Sequence, residues 1–287
     1  MNISICGFGY VGGAMGHLCD KNNIRYNVYD ITTKLGDSFT YYANLATMVS
    51  VNESTDRFNC YFIAVPTPSD SLGNCDTSIV ERVLADLRSF IKKKSIVFIK
   101  STVKPGTTRN FYDKYSSETL EIVFCPEFLR EATYKDDIYN AKFSMFGMKN
   151  KSDSFITTQI EKVFKDYLYK HNPDFEFYFR DFEICEMFKY TVNVFLATKV
   201  WFFNEVNEVC EKLGVDYKDL RDLFPLDPRI GMSHTMVPGH DGKYGYGLGC
   251  LPKETRAFRH LQNQLGIPDS IINSIINRNE EFRQKLF

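Results

Sequence analysis

A glycine pattern near the start of the chain restricts the fold more than any other feature of the sequence. The pattern has the form GxGxxG and consists of Gly7, Phe8, Gly9, Tyr10, Val11 and Gly12. It follows an apolar run at residues 2–6 and opens a stretch of helical periodicity at residues 12–21. A strand, a glycine turn and a helix in this order predict the start of a βαβ unit, whose helix N-terminus can bind a phosphate group.

A carboxylate follows the next predicted strand and indicates which dinucleotide binds at the glycine turn. Asp30 comes directly after the apolar run at residues 25–29. At this place a carboxylate accepts hydrogen bonds from a ribose 2′-hydroxyl and repels a 2′-phosphate, which favours NAD over NADP. The predicted NAD site consists of Gly7, Gly9, Tyr10, Val11, Gly12 and Asp30. The alternatives are a tight glycine turn without a ligand and an ordinary turn residue at Asp30.

Short apolar runs alternate with helical stretches through the first half of the chain. Strands are predicted at residues 2–6, 25–29, 60–65, 95–99, 120–124, 141–147 and 175–179, and helices at 12–21, 78–91 and 154–169. This alternation is typical of a doubly wound parallel sheet with helices on both faces. Residues 1–180 are therefore predicted to form a Rossmann-type α/β domain that binds NAD.

The pattern changes after residue 180. Residues 183–213 lack glycine and proline and carry apolar side chains at helical spacing, which predicts a helix of about eight turns. Further helices are predicted behind Asp216, at residues 255–265 and at residues 268–287, around a glycine-rich loop at 231–249. Residues 181–287 are therefore predicted to form a mostly α-helical domain.

The long helix carries an aromatic load that exceeds what a small domain usually buries. The aromatic residues are Phe195, Trp201, Phe202 and Phe203. An exposed apolar surface of this size marks an interface, so the helix predicts a homodimer. The alternative is ordinary packing of these side chains within one chain.

Composition and charge exclude several classes of partner. The formal net charge of -1 gives no attraction to nucleic acid or to an anionic membrane. No apolar run reaches the ~18 residues of a membrane span, and the N-terminus lacks the basic segment of a signal peptide, so we expect a cytoplasmic location. The eight cysteines form neither a CxxC pair nor a zinc-ligand spacing, which predicts no metal site and reduced, mostly buried thiols.

Four later segments combine polar, reactive and glycine residues. Residues 100–108 read KSTVKPGTT and residues 125–131 read CPEFLRE, and each follows a predicted strand. Both segments are therefore expected at the carboxyl edge of the sheet, where open α/β folds bind ligands. The third segment is 186–205 on the long helix, and the fourth is 227–254, which contains DPRIG and Cys250.

These segments resemble the UDP-glucose/GDP-mannose dehydrogenase family. The resemblance includes VPTP at residues 65–68 and the run K-Y-x-x-N-x-F-x-A-x-K at 189–199, and it extends from Met1 to about Asn277. It implies oxidation of C6 of a nucleotide-linked hexose to a carboxylate with two NAD+, and UDP-glucose is the favoured substrate. GDP-mannose and UDP-N-acetylmannosamine are alternative substrates. A non-catalytic module that binds NAD and a sugar nucleotide is the alternative outside catalysis. A hydroxyacid dehydrogenase is less favoured, because it would need neither Cys250 nor the PEFLRE segment.

The resemblance also implies catalytic roles for individual residues. Cys250 would hold the substrate as a thiohemiacetal and then as a thioester, which suits a thiolate; the alternative is a buried structural thiol. Lys189 and Asn193, four residues apart on one helix, would donate hydrogen bonds to the oxyanion on C6. Glu127 would activate the hydrolytic water with the help of Thr102.

Further positions are implied in binding. The cofactor-contacting positions are Thr67, Thr102, Glu131 and Lys253. The substrate-contacting positions are Glu127, Phe128, Leu129, Arg130, Glu131, Lys189, Asn193, Gly239, His240, Asp241, Gly242, Lys243 and Gly247. Other interpretations stay open for three of them: a helix-start residue at Glu131, an ion-pair residue at Arg130 and a solvated helix face at Lys189.

The sequence departs from the family pattern in three respects. Leu248 stands where the family usually has glycine, and Glu254, which we also place in the catalytic set, replaces an aspartate. The stretch between Asp30 and Cys60 is short, which predicts fewer contacts to adenosine. The family's further α/β domain, which binds the uridine half of the substrate, is expected to be absent beyond Phe287. A partner would then supply it, or the site is open and binds substrate weakly, or turnover is lost.

Overall fold

The chain forms two compact units. A computed structural model describes residues 1–70, 72–247 and 249–285, with the backbone alone at Glu131. Unit 1 comprises Met1–Pro68 and Asp76–Lys189, and unit 2 comprises Ser69–Cys75 and Tyr190–Phe287. The domain boundary between residues 180 and 181 stays a prediction.

Unit 1 is built on one sheet. Its strands are β1 (Asn2–Cys6), β2 (Tyr26–Tyr29), β3 (Phe39–Tyr42), β4 (Asn59–Ile63), β5 (Ser95–Ile99), β6 (Leu120–Phe124), β7 (Phe143–Gly147) and β8 (Glu176–Arg180). The strand order is β3-β2-β1-β4-β5-β6-β7-β8. The reversal of order beside β1 is the doubly wound arrangement that the sequence predicted, and the Rossmann-type fold class is confirmed.

One strand pair departs from the predicted parallel sheet. β6 and β7 pair antiparallel through Phe124 and Gly147, whereas the other neighbouring strands run parallel. The connection between them contains α5 (Tyr134–Tyr139), a helix of 6 residues. A helix of this length spans about 9 Å, less than the length of a strand, so it does not return the chain to the amino edge of the sheet.

Helices cover both faces of the sheet. The helices that precede α5 are α1 (Tyr10–Lys21), α2 (Leu45–Glu53), α3 (Ser78–Phe90) and α4 (Thr107–Tyr115), and α6 (Ser154–Glu161) follows it and continues as a π-helix at Lys162–Leu168. In β4 the side chains of Cys60 and Phe62 belong to one buried cluster, and those of Tyr61 and Ile63 to another. Because successive side chains of a strand point to opposite faces, both faces of the sheet are core.

Unit 2 is mostly helical, as predicted. Its helices are the second part of α7 (Phe182–Leu213), α8 (Tyr217–Arg221), α9 (Cys250–Gln264) and α10 (Ser270–Gln284). The prediction that α9 begins at residue 255 is wrong, because the helix already begins at Cys250. Pro252 lies in the first turn of this helix. Backbone N–H groups have no acceptor within the helix there, so a proline removes no hydrogen bond. Residues 286 and 287 of the predicted last helix lie outside the described residues.

The aromatic residues of α7 divide into two groups. Phe203 is buried with Cys210, and Trp201 packs against the cluster that contains Tyr246. Phe195 and Phe202, in contrast, are 63% and 51% exposed. Of the four aromatic residues that predicted an interface, only Phe195 and Phe202 are therefore exposed enough to form one.

Six of the eight cysteines are buried, as predicted, while Cys75 is half-buried and Cys250 is exposed. Within the described ranges, no helix is long and apolar enough to cross a membrane.

Candidate active site

The glycine turn of unit 1 lies between β1 and α1. Gly7 has a φ of 90°, and a Cβ at this residue would lie 2.7 Å from the carbonyl oxygen of Ala64. A Cβ at Gly12 would press on the carbonyl oxygen of Gly7, whereas Gly9 faces open space. The turn therefore needs glycine for its own geometry at Gly7 and Gly12, and it leaves room for a ligand at Gly9.

Asp30 lies against this turn. Its Oδ2 accepts a hydrogen bond from the backbone N–H of Phe8 at 2.6 Å, and its Oδ1 accepts one from Thr32 at 2.8 Å. An ionised carboxylate has about four acceptor positions, so two hydrogen bonds leave it able to bind a ribose hydroxyl. Tyr10 and Val11 lie in the first turn of α1, directly behind Gly9. The residues of this turn fit NAD, with Gly9 near the pyrophosphate and Asp30 near the ribose.

Two alanine substitutions should separate the fold of this turn from its binding function. We expect Gly9→Ala to leave the melting temperature unchanged and to weaken NADH binding about 10-fold, or about 1.4 kcal/mol, because its methyl group enters the open space. We expect Gly12→Ala to lower both the melting temperature and the affinity for NADH, because its Cβ presses on the carbonyl oxygen of Gly7. Gly13→Ala, which meets no atom within 4 Å, is the control. NADH fluorescence titration and thermal melting measure the effects, and equal binding by Gly9→Ala and wild type would contradict the assignment.

The VPTP segment at residues 65–68 and the KSTVKPGTT segment at residues 100–108 are hydrogen-bonded to each other at the carboxyl edge of the sheet. Thr67 of the VPTP segment donates its hydroxyl to the backbone oxygen of Thr102 at 2.9 Å. Ser101 donates its hydroxyl to the backbone oxygen of Val65 at 2.7 Å. Thr67 and Thr102, both predicted to contact the cofactor, are thus brought together within unit 1, as the sheet topology predicts.

Glu127 and Lys189 form a buried ion pair. Lys189 Nζ donates to the backbone oxygen of Glu127 at 2.6 Å and to its Oε1 at 3.1 Å. The other carboxylate oxygen of Glu127 accepts a hydrogen bond from the backbone N–H of Leu129 at 2.6 Å. The ammonium group also lies 5.4 Å from the ring centre of Phe128. Lys189 is therefore not on a solvated helix face. It makes a charge-assisted hydrogen bond to Glu127, whose carboxylate can act as a general base.

Glu186 is a second buried carboxylate, and the sequence did not single it out for a role. Its Oε2 accepts from the backbone N–H of Gly106 at 2.7 Å, and its Oε1 accepts from Thr108 at 2.8 Å. These N–H groups belong to the start of α4, so Glu186 caps this helix and fixes the KSTVKPGTT segment against α7. Burial raises the pKa of Glu186 to about 7, although the hydrogen bonds from Thr108 and Gly106 act in the opposite direction.

This pKa predicts how stability depends on pH. Because the folded-state pKa exceeds the ordinary value of 4.5, Glu186 stabilises the fold fully below about pH 4.5, and this contribution is lost as the pH rises through 7. We expect the unfolding free energy of wild type, relative to Glu186→Gln, to fall by about 3 kcal/mol between these limits. Denaturation of both proteins at pH 5 and pH 8 measures the difference. Parallel pH profiles would exclude a raised pKa.

The rest of the PEFLRE segment is more exposed. Arg130 forms an ion pair with Asp137, with Nη2 at 2.5 Å from Oδ1, and its backbone N–H donates to Oδ2 of the same carboxylate at 2.8 Å. Arg130 thus has the ion-pair role that was left open for it. Glu131 begins a 3-10 turn, and its side chain lies outside the described atoms, so its predicted contacts stay predictions.

In unit 2, Cys250 lies at the start of a helix whose first turn is anchored. Cys250 is exposed and is the first residue of α9, directly after the predicted glycine-rich loop at residues 231–249. Four residues later, Glu254 is 1% exposed and accepts a hydrogen bond from Nδ2 of Asn193 at 2.6 Å. Lys253 is half-buried beside it. The thiol of Cys250 is therefore accessible on a fixed turn, which suits a nucleophile.

The predicted substrate loop forms a closed turn. The backbone N–H of Gly239 donates to the carbonyl oxygen of Lys243, and that of Gly242 donates to Gly239, both at 2.9 Å. The turn exposes His240, and its Asp241 pairs with Arg283 of α10 at 2.6 Å. The Arg283 guanidinium also covers Gly247, where an added Cβ would lie 2.5 Å from it. Leu248, the predicted departure from the family pattern, lies outside the described residues.

The sequence predicted no role for three polar residues that the structure buries on helices. They are Glu186, Asn204 and Asn279, and each side chain accepts hydrogen bonds from backbone N–H groups of a motif or loop. A signal for Asn279 was available, because it falls on the apolar face of α10 marked by Ile272, Ile275 and Phe282. A polar residue on such a face needs a partner.

Comparison with known proteins identifies the family. The family model for the NAD binding domain of the UDP-glucose/GDP-mannose dehydrogenase family matches residues 1–168, and the model for its central domain matches residues 183–281. The chain belongs to the UDP-glucose/GDP-mannose dehydrogenase family. It is thus an NAD-dependent oxidoreductase that acts on sugar nucleotides, and NAD is confirmed as its cofactor.

Individual members of this dehydrogenase family resemble the chain over nearly its whole length. It is 31% identical to UDP-glucose 6-dehydrogenase of Rickettsia bellii, covering 98% of the chain and 67% of that protein. It is 28% identical to GDP-mannose 6-dehydrogenase of Pseudomonas aeruginosa, covering 100% of the chain and 70% of that protein. The structure of a UDP-glucose dehydrogenase from Pyrobaculum islandicum superimposes with a TM-score of 0.78 at 26% identity, covering 98% of the chain and 68% of that structure.

No three His, Cys, Asp or Glu side chains among the described residues are grouped so as to hold a metal ion.

Proposed function

We propose that this chain oxidises UDP-glucose to UDP-glucuronate, with Cys250 as a covalent nucleophile. The observation that carries the proposal is the exposed Cys250 at the first residue of α9, in a chain that otherwise buries most of its cysteines. A thiol that serves only packing is usually buried, whereas a nucleophile must reach its substrate. The identity to UDP-glucose 6-dehydrogenase of Rickettsia bellii supports the choice of substrate.

The proposed reaction has four stages at C6 of the sugar. The first oxidation converts the C6 alcohol to an aldehyde, and the proton of the C6 hydroxyl leaves to water, which can return a proton in the next step. The Cys250 thiolate attacks the aldehyde carbon; a C–S bond forms and the carbonyl oxygen takes up a proton. The second oxidation gives a thioester, and water then adds to its carbon, so that the C–S bond breaks and its electron pair leaves with the thiolate. NAD+, when bound, removes one hydrogen and two electrons from C6 in each oxidation.

Residues of the chain take four roles in this proposal. Lys189 and Asn193 stabilise negative charge on the C6 oxygen, since both carry N–H donors. Glu127 accepts a proton from the hydrolytic water and then releases it to the solvent, while the ammonium group of Lys189 holds the carboxylate in place through their ion pair. Thr102 positions the water. Glu254 orients Asn193 through their hydrogen bond of 2.6 Å.

Binding residues are proposed for both ligands. Gly7, Gly9, Gly12 and Asp30 would hold NAD, with Tyr10, Val11, Thr67, Glu131 and Lys253 around it. The sugar nucleotide would contact residues 127–131, the turn at residues 239–243 and Gly247. We also propose residues 1–180 and 181–287 as the two functional domains. A cytoplasmic location stays a prediction from the sequence.

The test of this function is a stoichiometric assay. The purified chain is mixed with NAD+ and UDP-glucose, and NADH is followed by absorbance while the uronate is measured by mass spectrometry. We expect two NADH for each UDP-glucose, since the reaction removes four electrons. One NADH per sugar would contradict the second oxidation. GDP-mannose and UDP-N-acetylmannosamine are tested in parallel, and NADH from one of them alone would change the substrate. Binding without NADH from any of them would indicate a binding module.

We further propose that the chain forms a homodimer through α7. The side chains of Phe195, Phe202 and Val209 are 63%, 51% and 57% exposed, and they follow each other at intervals of seven residues. Seven residues are close to two helical turns, so these side chains form one apolar stripe on the helix. An exposed stripe of this kind is stabilised when a second copy covers it.

A charge on this stripe should separate the subunits. We expect wild type to be a dimer in light scattering and Phe202→Glu to be a monomer, because a carboxylate at an apolar interface loses its hydration without gaining a partner. Ile271→Glu, at an exposed apolar residue of α10, should stay a dimer. A monomeric wild type at micromolar concentration would refute the interface.

A further inference from the structure

The loop that leads to Cys250 is held by the side chain of one asparagine. Asn279 of α10 accepts a hydrogen bond from the backbone N–H of Tyr246 on its Oδ1 at 2.7 Å, and its Nδ2 donates to the carbonyl oxygen of Tyr246 at 2.9 Å. Asn279 is 5% exposed. A primary amide that pairs with both backbone groups of one residue fixes its position and its orientation together, as a neighbouring strand would.

A second asparagine holds the preceding residue. Asn204 of α7, itself buried, accepts a hydrogen bond from the backbone N–H of Gly245 on its Oδ1 at 2.9 Å. Gly245 has a φ of 71°, and a Cβ there would lie 2.5 Å from Oδ1 of Asn279. Asn279 can therefore approach the loop this closely only because residue 245 is glycine.

The side chain of Tyr246 supports the same anchor. It is buried in a small apolar cluster with Ala197 of α7 and Ile275 of α10. Because the ring is buried and its backbone groups are paired, Tyr246 is fixed within unit 2. Asn279 lies one turn after Ile275 on the same face of α10, so one helix supplies both parts of the anchor.

Cys250 lies midway between two such anchored residues. Tyr246 precedes it by four residues and is held by Asn279, and Glu254 follows it by four residues and is held by Asn193. The thiol between them is exposed. The position of the thiol thus depends on hydrogen bonds made by residues before and after it in the sequence. Only the hydrogen bond after it, between Asn193 and Glu254, is made by residues of the predicted catalytic set.

We propose that Asn279 is a positioning residue for Cys250, which acts by fixing the loop before the thiol from α10. The inference rests on the proposed function of Cys250 as nucleophile. Asn279 itself touches the loop backbone and takes no part in bond formation. Loss of its paired hydrogen bonds frees Tyr246 and with it the first turn of α9, and a displacement of about 1 Å in a catalytic group costs about 100-fold in rate.

The test compares two aspartate variants on the same helix. Asn279→Asp keeps the shape and the acceptor for Tyr246 N–H but places a second oxygen against the Tyr246 carbonyl. Asn277→Asp introduces the same charge at an exposed position two residues earlier. We expect kcat of Asn279→Asp to fall about 10- to 100-fold, with the KM for NAD+ changed less than about twofold, and Asn277→Asp to match wild type.

A second readout requires no turnover. Alkylation of Cys250 by iodoacetamide, without cofactor or substrate, is quantified by peptide mass spectrometry, with Cys75 in the same sample as internal reference. We expect the alkylation rate of Cys250 in Asn279→Asp to differ from that of wild type by at least about threefold, because the freed turn changes how accessible the thiol is. The rate at Cys75 and both rates in Asn277→Asp should be unchanged.

Each outcome decides the inference separately from the function. If Asn279→Asp and Asn277→Asp show the same alkylation rate and kcat as wild type, Asn279 does not position Cys250. If wild type makes no NADH from any sugar nucleotide, the proposed function fails, and the alkylation rates still decide whether Asn279 fixes the thiol. If Asn279→Asp does not melt cooperatively, Asn204→Ala takes its place. This substitution removes the acceptor for Gly245 N–H and a donor to the carbonyl oxygen of Val200 within α7. It should change the alkylation rate of Cys250 in the same direction, and it overturns the proposal if it does not.

Discussion

Cys250→Ala is expected to abolish UDP-glucuronate formation, with a loss on the order of 10⁴-fold or more, as is found when a covalent nucleophile is removed. Alanine cannot form the C–S bond, so neither the thiohemiacetal nor the thioester exists and the second oxidation has no substrate. NADH release and uronate are measured together. Mass spectrometry of quenched wild type should show the hexuronyl adduct on the peptide that contains Cys250.

Two further variants sharpen this result. Cys75→Ala, at a half-buried cysteine of the same unit, should keep full activity and shows that loss of a thiol alone is harmless. Cys250→Ser retains a weaker nucleophile and should form little or no acid. Uronate production by Cys250→Ala at the wild-type rate would end the covalent mechanism.

Lys189→Met should reduce both stability and activity. The ammonium and the carboxylate of Glu127 are 3% and 7% exposed, so removing the cation leaves a buried, unpaired carboxylate. Breaking a buried pair in this way costs about 3–5 kcal/mol of unfolding free energy. The same change removes the proposed donor to the C6 oxygen and the cation that holds Glu127 in place, so we expect uronate formation to fall to background. Chemical denaturation and the NADH assay measure the two effects.

The double variant Lys189→Met with Glu127→Gln separates structure from chemistry. It contains no unpaired charge, so most of the lost stability should return, whereas activity should stay at background because both functional groups are gone. If the double variant regained activity together with stability, the pair of Lys189 and Glu127 would serve only to stabilise the fold and would take no part in the reaction.

Motifs with a fixed local geometry could be predicted from the sequence, and elements that depend on distant partners could not. The strand at residues 95–99 and the end of the long helix at Leu213 lie where the sequence predicts them, because buried strands and long amphipathic helices have strong apolar patterns. β3 and α2 were missed. The strand is partly exposed. In α2 the apolar residues lie on more than one face, because Leu45, Met48 and Val49 are buried whereas Val51 is exposed, and this weakens the helical periodicity.

The candidate site shows the same division. The sequence named Glu127, Lys189 and Cys250, since these residues carry the chemistry and stand in specific motifs. It did not find that Lys189 donates to Glu127, because these residues are 62 positions apart and only the folded sheet and α7 bring them together. It also did not find Asn279, whose function is to satisfy the backbone of a loop and which carries no motif of its own.

The path of the chain has a consequence for how such proteins can be recombined. The segment Ser69–Cys75 belongs to unit 2, although unit 1 residues precede and follow it. A single crossover between two related genes near residue 190 would therefore join one parent's residues 69–75 to the other parent's helices, and the backbone of Gly73 would meet a foreign Arg256. Exchange of unit 2 between homologues needs two coordinated replacements. Chimaeras that exchange both segments together are therefore expected to fold where single-crossover chimaeras fail.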